Sequence, residues 1–230
     1  MALDDARRQI EQRGYCLLKG LLAPDEAARL DARARTLMTG DGYVNLEGAL
    51  EPIPDLAPLC THPAIMDLCA HFLGAPFYLA NNVCMKWVQP GTTTGGLHAD
   101  WPLGQVKEPY PHWPLLLQTM WMLTDFSGEN GATCVVPESH LWGQPPPGRA
   151  PDPREVAIAG DPGDVLVWHG ALWHRSGDNN TSDRHRMGAN IAYIPQWVHR
   201  PPDMWPNIAR DLCRRFPADL QQLLTRSLET

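Results

Sequence analysis

The chain has 230 residues, of which 43% are hydrophobic and 20% are charged, and its formal net charge is −7. This composition is ordinary for a globular protein, and an acidic balance without any basic run argues against a general binder of nucleic acid or anionic membranes. No run of 18 apolar residues is present and the N-terminus lacks the apolar core of a signal peptide, so we expect no membrane segment and a cytoplasmic location.

The first third of the sequence contains residues that are typical of the starts and ends of helices. One helix is predicted to begin at Pro24 and to end by Gly40, because proline is favoured in the first turn of a helix and glycine just after the last. A second predicted helix spans 62–74 and again ends at a glycine. The C-terminal stretch 203–229 is also predicted to be helical and to buttress a sheet.

From Phe77 onward the chain changes to short apolar runs separated by Gly, Pro, Asn and Asp. Many short strands with turn signals between them predict a sandwich or barrel rather than a parallel sheet. The predicted strands are 77–88, 118–125, 132–136, 164–168 and 186–194. No internal repeat or linker divides the chain, so we expect a single domain, 1–230, with a helical N-terminal third and a β core of about 77–195.

Two long irregular segments interrupt the strand pattern. Residues 101–117 are aromatic and rich in proline, and residues 143–154 are dense in proline. Long loops in compact proteins are often lids or binding loops. The part 101–114 is interpreted either as a lid that closes over a substrate or as a rigid crossover packed on the barrel.

The six cysteines show no C-x-x-C pair and no zinc-finger spacing. They lie in apolar segments such as "GYCLLKG" and "GATCVVP", which is typical of buried reduced thiols. We therefore expect neither a cysteine-based metal site nor a catalytic thiol.

The stretch "GGLHAD" places His98 and Asp100 two residues apart. In an extended strand, residues i and i+2 project from the same face, so this imidazole and this carboxylate can reach one point in space. A His and a carboxylate are two of the three ligands in the facial triad that holds non-haem iron(II) and leaves coordination positions open. The third ligand must be a second His, and the segment "VWHGALWHRSG" offers His169 and His174.

Two arginines follow these histidines at the entrance to the last predicted strand. An iron site that uses a keto-diacid cosubstrate needs a fixed cation about one molecule's length from the metal. A guanidinium suits this role because it binds a carboxylate through two N–H groups and stays charged. Arg184 and Arg186 both qualify, and since they share a face of the predicted strand, the spacing does not separate them.

Three blocks of sequence, in this order, resemble the phytanoyl-CoA dioxygenase family of iron(II)/2-oxoglutarate oxygenases over roughly residues 77–194. The blocks are "LHAD", "QTMWMLTDFSGENGATCVVPESH" and "GDVLVWHGALWHRSGDNNTSDRHR". The second is similar to the family's strand, Glu-Asn-Gly turn and "VVPGSH" hairpin, with Glu138 where Gly is common. The resemblance implies a mainly β fold with flanking helices, a double-stranded β-helix (a cupin-like jelly roll) that holds iron at one open end.

The resemblance also implies a set of iron ligands. His98 and Asp100 match the proximal ligands, and His174, immediately before "RSG", matches the distal one. His169 matches a frequent His that does not bind the metal. In related halogenases a small residue replaces the metal-binding carboxylate. Because Asp100 is present, the implied chemistry is hydroxylation or another oxidation, not chlorination.

The cosubstrate site is implied in the same way. The Asn-Asn pair at 179–180 looks like a one-residue insertion, which favours Arg186 over Arg184 as the partner of the 2-oxoglutarate carboxylate. Gln118 and Ser176 occupy positions that often line the cosubstrate pocket in relatives. The alternative is that they are an ordinary polar residue of a strand and a serine of a turn.

The implied reaction consumes O2 and 2-oxoglutarate, releases succinate and CO2, and oxidises a C–H bond of a small molecule. Trp101 and Trp113 are predicted either to contact a bulky substrate, such as a natural-product intermediate or a lipid-like acid, or to pack the mouth of the barrel. One alternative is a cupin-like isomerase or dioxygenase that works without 2-oxoglutarate, which would need more His ligands. Another is a jelly-roll binding module without catalysis, since a fold does not determine a function.

Overall fold

The computed structural model describes residues 2–80, 82–100, 102–198 and 210–224. The helices are α1 (Leu3–Arg13), α2 (Pro24–Arg35), α3 (Ala57–Cys60), α4 (Pro63–Leu73), α5 (Arg210–Cys213) and α6 (Ala218–Leu223). The strands are β1 (Tyr15–Leu18), β2 (Tyr43–Leu46), β3 (Phe77–Leu79), β4 (Cys84–Val88), β5 (Leu117–Met122), β6 (Thr133–Val135), β7 (Val156–Ala157), β8 (Val165–His169), β9 (His174–Ser176) and β10 (Arg186–Pro195). None of the helices within these ranges is long and apolar enough to cross a membrane.

The strands form two antiparallel sheets. The larger has the order β1-β8-β5-β10-β4-β2, with β3 pairing on β10, and the smaller has the order β7-β6-β9. The two sheets face each other, because Arg186 of β10 contacts Thr133 of β6 and Ser176 of β9. This arrangement confirms the predicted fold class, mainly β with flanking helices.

Both faces of the larger sheet are buried. On β5, Leu117 and Trp121 pack into a hydrophobic cluster together with residues of α1, α2 and α4. Met120 and Met122 project from the opposite face and pack between the two sheets with Trp168. Burial on both faces explains why the sequence of β5 is mostly apolar and does not alternate between apolar and polar residues.

The helix and strand predictions are confirmed in part. Helix α2 begins at Pro24 as predicted but ends at Arg35, and α4 ends one residue before the glycine at 74. The predicted strand 77–88 is divided into β3 and β4, and between them Val83 leaves the extended conformation with a φ of 47°. Of the predicted C-terminal helical stretch, the described part contains α5 and α6, and the rest lies outside the described residues.

Strands β1 and β2 were not predicted and lie in the third that was interpreted as helical. They form the two edges of the larger sheet, β1 on β8 and β2 on β4. The sheets therefore begin at Tyr15, not near residue 77. Each of these strands has only four residues, which is too short for a hydrophobic period to be recognised.

The described part of the first long loop, 102–117, packs as a crossover on the barrel. Leu103, Tyr110 and Leu115 are buried in one cluster with Ile194 of β10. The segment is thus packed on the barrel in this conformation, and closure over a substrate stays a prediction.

Glu138 adopts the left-handed backbone conformation, with a φ of 67°. This conformation costs a residue with a Cβ roughly 1–2 kcal/mol, whereas glycine adopts it without that cost. This strain gives a physical reason why glycine is common at the same position in the family that the sequence resembles. The amide of Glu138 donates to the carbonyl of Arg13 at 3.0 Å, so the hairpin is tied to the end of α1.

Candidate metal centre

Backbone hydrogen bonds hold His98 and His174 opposite each other. The amide of His98 donates to the carbonyl of His174 at 3.1 Å, and the amide of His174 donates to the carbonyl of His98 at 2.9 Å. The amide of Asp100 donates to the carbonyl of Gly170 at 2.9 Å. The segment around His98 therefore forms an additional antiparallel bridge with β9. Its extended backbone directs the side chains of His98 and Asp100 to the same side.

These three side chains form a compact cluster. One possible ligand atom from each of His98, Asp100 and His174 lies within 4.8 Å of the other two. The Nε2 atom of His174 is 3.6 Å from Oδ1 of Asp100, and the centroids of the two imidazole rings are 4.3 Å apart. Two imidazoles and a carboxylate around one point suit iron(II). No other set of three His, Cys, Asp or Glu side chains comes this close in the part of the chain that the structure describes.

Both histidines present the nitrogen that a metal needs. Nδ1 of His98 lies 3.0 Å from the carbonyl oxygen of Gly96, and Nδ1 of His174 lies 2.9 Å from that of Leu172. Because a carbonyl oxygen only accepts, each Nδ1 carries the proton and each Nε2 keeps its lone pair. Burial lowers the pKa of His174 to about 4, so this imidazole is neutral at neutral pH, as metal binding requires.

Two neighbouring side chains orient the carboxylate. Nε1 of Trp168 donates to Oδ2 of Asp100 at 3.2 Å, and Nε2 of Gln118 donates to Oδ1 at 3.4 Å. Such contacts outside the ligand set fix the direction in which the ligand atoms point. Gln118, predicted from the resemblance to line a cosubstrate pocket, thus also contacts one of the candidate metal ligands.

His169 does not reach the cluster. Its Nδ1 accepts from the amide of Ala171 at 3.0 Å, its Nε2 lies 3.3 Å from the carbonyl oxygen of His112, and its ring packs 5.1 Å from that of His140. Of the two histidines that the sequence offered as the third ligand, the geometry supports His174.

Arg186 is fully buried between the two sheets. Its Nε donates to the carbonyl of Gly131 at 2.9 Å, and its Nη2 lies 3.4 Å from Oγ1 of Thr133 and 3.5 Å from Oγ of Ser176. Its Nη1 is buried without a hydrogen-bond partner. Burial lowers the pKa of Arg186 to about 10, which leaves it charged at neutral pH. A buried cation with an unpaired N–H offers the donor that a ligand carboxylate accepts.

The spacing between this arginine and the cluster suits a short diacid. Ser176 follows His174 by two residues on the same face of β9, so the guanidinium lies about 7 Å further along the strand, at the usual rise of about 3.4 Å per residue. Arg184, in contrast, is exposed, and its Nη2 pairs with Oε2 of Glu129 at 2.5 Å. The structure therefore separates the two arginines that the sequence left open.

A cavity of about 130 Å³ extends from the cluster to Thr133 and Ser176, whose hydroxyls lie beside the guanidinium of Arg186. Its lining comprises Tyr43, Lys86, His98, Asp100, Gln118, Met120, Thr133, Trp168, His174, Arg175, Ser176 and Asn190. Tyr43 and Lys86 were not predicted from the sequence. The available signal was weak: one of only three lysines in the chain, Lys86, stands inside the apolar run "VCMKWV".

Comparison with known proteins supplies a family. The model of the family described as phytanoyl-CoA dioxygenase (PhyH) matches residues 10–188. The chain belongs to the phytanoyl-CoA dioxygenase family. It is similar to dioxygenase af480 of Aspergillus fumigatus, with 27% identity over 245 residues that cover 99% of this chain and 75% of the relative. It is also 27% identical over 202 residues to the iron/alpha-ketoglutarate-dependent dioxygenase okaE of Penicillium ochrochloron, covering 77% of this chain and 66% of the relative.

Solved structures support the fold of this phytanoyl-CoA dioxygenase family member. The structure of the non-heme alpha ketoglutarate dependent epimerase SnoN from nogalamycin biosynthesis matches with a TM-score of 0.69 at 23% identity. The match covers 90% of this chain and 85% of that one. At this identity the likeness concerns the fold, and it confirms the predicted jelly roll.

The predicted substrate contacts lie away from the small cavity or outside the described residues. Trp113 is 61% exposed and lines a separate cavity of about 620 Å³ together with Tyr110, Trp142 and Trp197. No residue that lines this second cavity carries a formal charge at neutral pH when its histidine is neutral. Trp101 lies outside the described residues. Substrate contacts at Trp101 and Trp113 stay predictions.

The buried pair of His169 and His140 predicts how stability depends on pH in this family member. Burial lowers the pKa of His169 to about 3 and also lowers that of His140. In the unfolded chain a histidine titrates near pH 6.5, so below that pH the unfolded state takes up protons that the folded state does not. The free energy of unfolding should therefore fall as the pH drops from about 6.5 towards 3, by up to about 1.4 kcal/mol per pH unit for His169.

Urea unfolding at pH 7 and pH 5 measures this effect. In His169→Asn, the side-chain oxygen can replace the Nδ1 acceptor. The free energy of unfolding of this variant should differ less between the two pH values than that of the parent protein. His112→Gln, at an exposed side chain, should keep the difference of the parent protein. If the free energy of unfolding of His169→Asn fell between pH 7 and pH 5 as much as that of the parent protein, the buried neutral imidazole would not be the source of the pH dependence.

Proposed function

We propose that the protein is an Fe(II)- and 2-oxoglutarate-dependent oxygenase that hydroxylates a C–H bond of a small molecule. One observation carries the proposal: the cluster of His98, Asp100 and His174 shares a cavity with Thr133 and Ser176. The hydroxyls of these two residues lie beside the buried guanidinium of Arg186, which has an unpaired N–H. Membership of the phytanoyl-CoA dioxygenase family and similarity to the iron/alpha-ketoglutarate-dependent dioxygenase okaE support it.

The three clustered side chains fit an iron(II) ion. The Nε2 atoms of His98 and His174 and a carboxylate oxygen of Asp100 would hold it. Bound iron, together with 2-oxoglutarate and O2, supplies the oxidising chemistry, with release of succinate and CO2. The protein positions the ligands: backbone bonds hold the histidines, and Trp168 and Gln118 hold the carboxylate.

The cosubstrate site follows from the same cavity. The unpaired Nη1 of Arg186 would donate to the carboxylate of 2-oxoglutarate that is remote from the keto group. The hydroxyls of Thr133 and Ser176 lie beside the guanidinium and complete a polar cradle for that carboxylate. Gln118 would line the other end, next to the metal ligands.

The substrate is proposed to be a small molecule, with Trp101 and Trp113 among its contacts. SnoN was solved in complex with Fe3+, alpha ketoglutarate and nogalamycin RO, which supports a small molecule as the substrate class. SnoN is an epimerase, so hydroxylation must be distinguished from other outcomes by the product. Neither an enzyme without 2-oxoglutarate nor a binding module would need a buried Arg186 with an unpaired donor.

Succinate formation tests the proposal. Protein loaded with Fe(II) and supplied with 2-oxoglutarate and O2 is expected to form succinate faster when its substrate is present, and the product should be one oxygen atom heavier. The panel should contain ring-bearing natural-product intermediates, lipid-like acids and CoA thioesters. Asp100→Ala, which removes one ligand, should form no succinate. Metal-dependent turnover that consumes no 2-oxoglutarate would contradict this proposal and favour the cupin-like isomerase or dioxygenase that works without 2-oxoglutarate.

The cellular location stays a prediction. All six cysteines are free and buried, which supports a reducing compartment such as the cytoplasm.

A further inference from the structure

The two carboxylate oxygens of Asp100 have different surroundings. Oδ1 lies 3.6 Å from Nε2 of His174, and Nε2 of Gln118 donates to it at 3.4 Å. Oδ2 accepts instead from the indole Nε1 of Trp168 at 3.2 Å. One oxygen therefore lies beside the donor atom of a candidate metal ligand, whereas the other is engaged by an indole N–H.

The two donors form one cross-strand pair. Trp168 of β8 stands directly opposite Gln118 of β5, and residues that are directly opposite each other on neighbouring strands share a face of the sheet. Both side chains line the metal cavity. The larger sheet thus presents one N–H to each oxygen of Asp100, from two adjacent strands.

The indole of Trp168 is held firmly in this position. The side chain is fully buried, and its strand is paired on both sides, with Tyr15 of β1 and Gln118 of β5 as the opposite residues. The ring packs 5.0 Å from the ring of His174. A rotation of the carboxylate that took Oδ2 away from the indole would leave a buried N–H without a partner, which is unfavourable.

The number of oxygens that Asp100 gives to the metal decides how many coordination positions stay open. Two imidazoles and one carboxylate oxygen leave three positions of an octahedral iron(II) ion. The keto acid end of 2-oxoglutarate takes two of them, and O2 needs the third. Because a carboxylate can also bind a metal through both oxygens, a second bond from Asp100 would remove the position that O2 needs.

We propose that Trp168 is a positioning residue that keeps Oδ2 of Asp100 off the metal and so preserves an open coordination position for O2. This inference rests on the proposed function, because it takes iron(II), 2-oxoglutarate and O2 as the reactants. Trp168 acts through Asp100 in this assignment and binds none of the reactants itself.

Nitric oxide tests the assignment without turnover, because it binds to iron(II) at an open position and gives an electron paramagnetic resonance signal. The parent protein and Trp168→Phe are loaded with Fe(II) and 2-oxoglutarate under anaerobic conditions and titrated with nitric oxide. In the variant, the affinity for nitric oxide should fall by about tenfold or more, as is typical when a group that supports a ligand is lost. The affinity for 2-oxoglutarate, measured by calorimetry, should stay unchanged.

Benzothienylalanine in place of Trp168 is the second variant. It retains the fused ring and replaces only the N–H by sulfur, so it fills the space between the sheets even where phenylalanine does not. It should show the same loss of affinity for nitric oxide. Thermal unfolding of each variant verifies that it is folded.

Trp121→Phe is the matched control. Trp121 is a buried tryptophan of the same sheet, but it packs on the opposite face and its Nε1 has no hydrogen-bond partner. This variant should bind nitric oxide like the parent. The inference is overturned if both Trp168 variants bind nitric oxide like the parent, or if they lose Fe(II) and 2-oxoglutarate to the same extent, as a purely structural role would produce. If the Fe(II)-loaded parent does not bind 2-oxoglutarate, the proposed function itself fails.

Discussion

Arg186→Gln is expected to weaken binding of 2-oxoglutarate by a factor of about 30 or more, because removing one partner of a buried charge-assisted pair costs about 2–5 kcal/mol. The guanidinium is buried, charged and supplied with an unpaired Nη1. Glutamine retains a donor but neither the charge nor the two-pronged geometry. The measurement is the dissociation constant of 2-oxoglutarate by calorimetry, together with its KM once a substrate is known.

Arg184→Gln is the matched control, since Arg184 lies two residues away and its side chain pairs with Glu129 at the surface. It should leave the affinity for 2-oxoglutarate unchanged. If only Arg184→Gln lost affinity for 2-oxoglutarate, Arg184 would be the residue that binds its carboxylate. Unchanged affinity in both variants would argue against this cosubstrate.

His174→Ala is expected to lower the affinity for Fe(II) at least about 100-fold, more than is typical for loss of a group that only supports a ligand. The variant should also form no succinate. The Nε2 atom of His174 is one of the three candidate ligand atoms, and apart from His98 no other histidine of the described residues joins the cluster. Anaerobic titration with Fe(II), followed by equilibrium dialysis, measures the change.

His169→Ala serves as the comparison, because it removes an imidazole from the same segment that contacts the carbonyl of His112 and not the cluster. It should retain the metal affinity of the parent. A variant pair with the opposite behaviour, in which His169→Ala loses the metal and His174→Ala keeps it, would show that the distal ligand is wrongly assigned.

The part of the site that could be predicted from the sequence depended on short-range geometry. His98 and Asp100 share a face because the period of an extended chain is two, and the structure brings both to His174. The same reasoning could not separate Arg184 from Arg186, because it assumed that both lie in the strand. Strand β10 begins at Arg186, so Arg184 precedes it and its side chain is free to point to the surface.

The residues that were missed depend on pairing between distant segments. Tyr43 reaches the cavity because β2 pairs with β4, and Lys86 because β4 pairs with β10. A four-residue strand such as β2 shows no readable period, and which strand it joins is decided by packing in the folded protein, not by its own sequence. A lysine in an apolar run indicated a special environment but not which environment.

The mutual backbone bonds between His98 and His174 have a consequence for how an ion is taken up. They set the separation of two candidate ligands through the main chain, and so the donor atoms of the folded chain lie close together. Most of the ordering that a flexible set of ligands would undergo on coordination is completed when the polypeptide folds. We therefore expect the candidate centre to be preorganised for an ion.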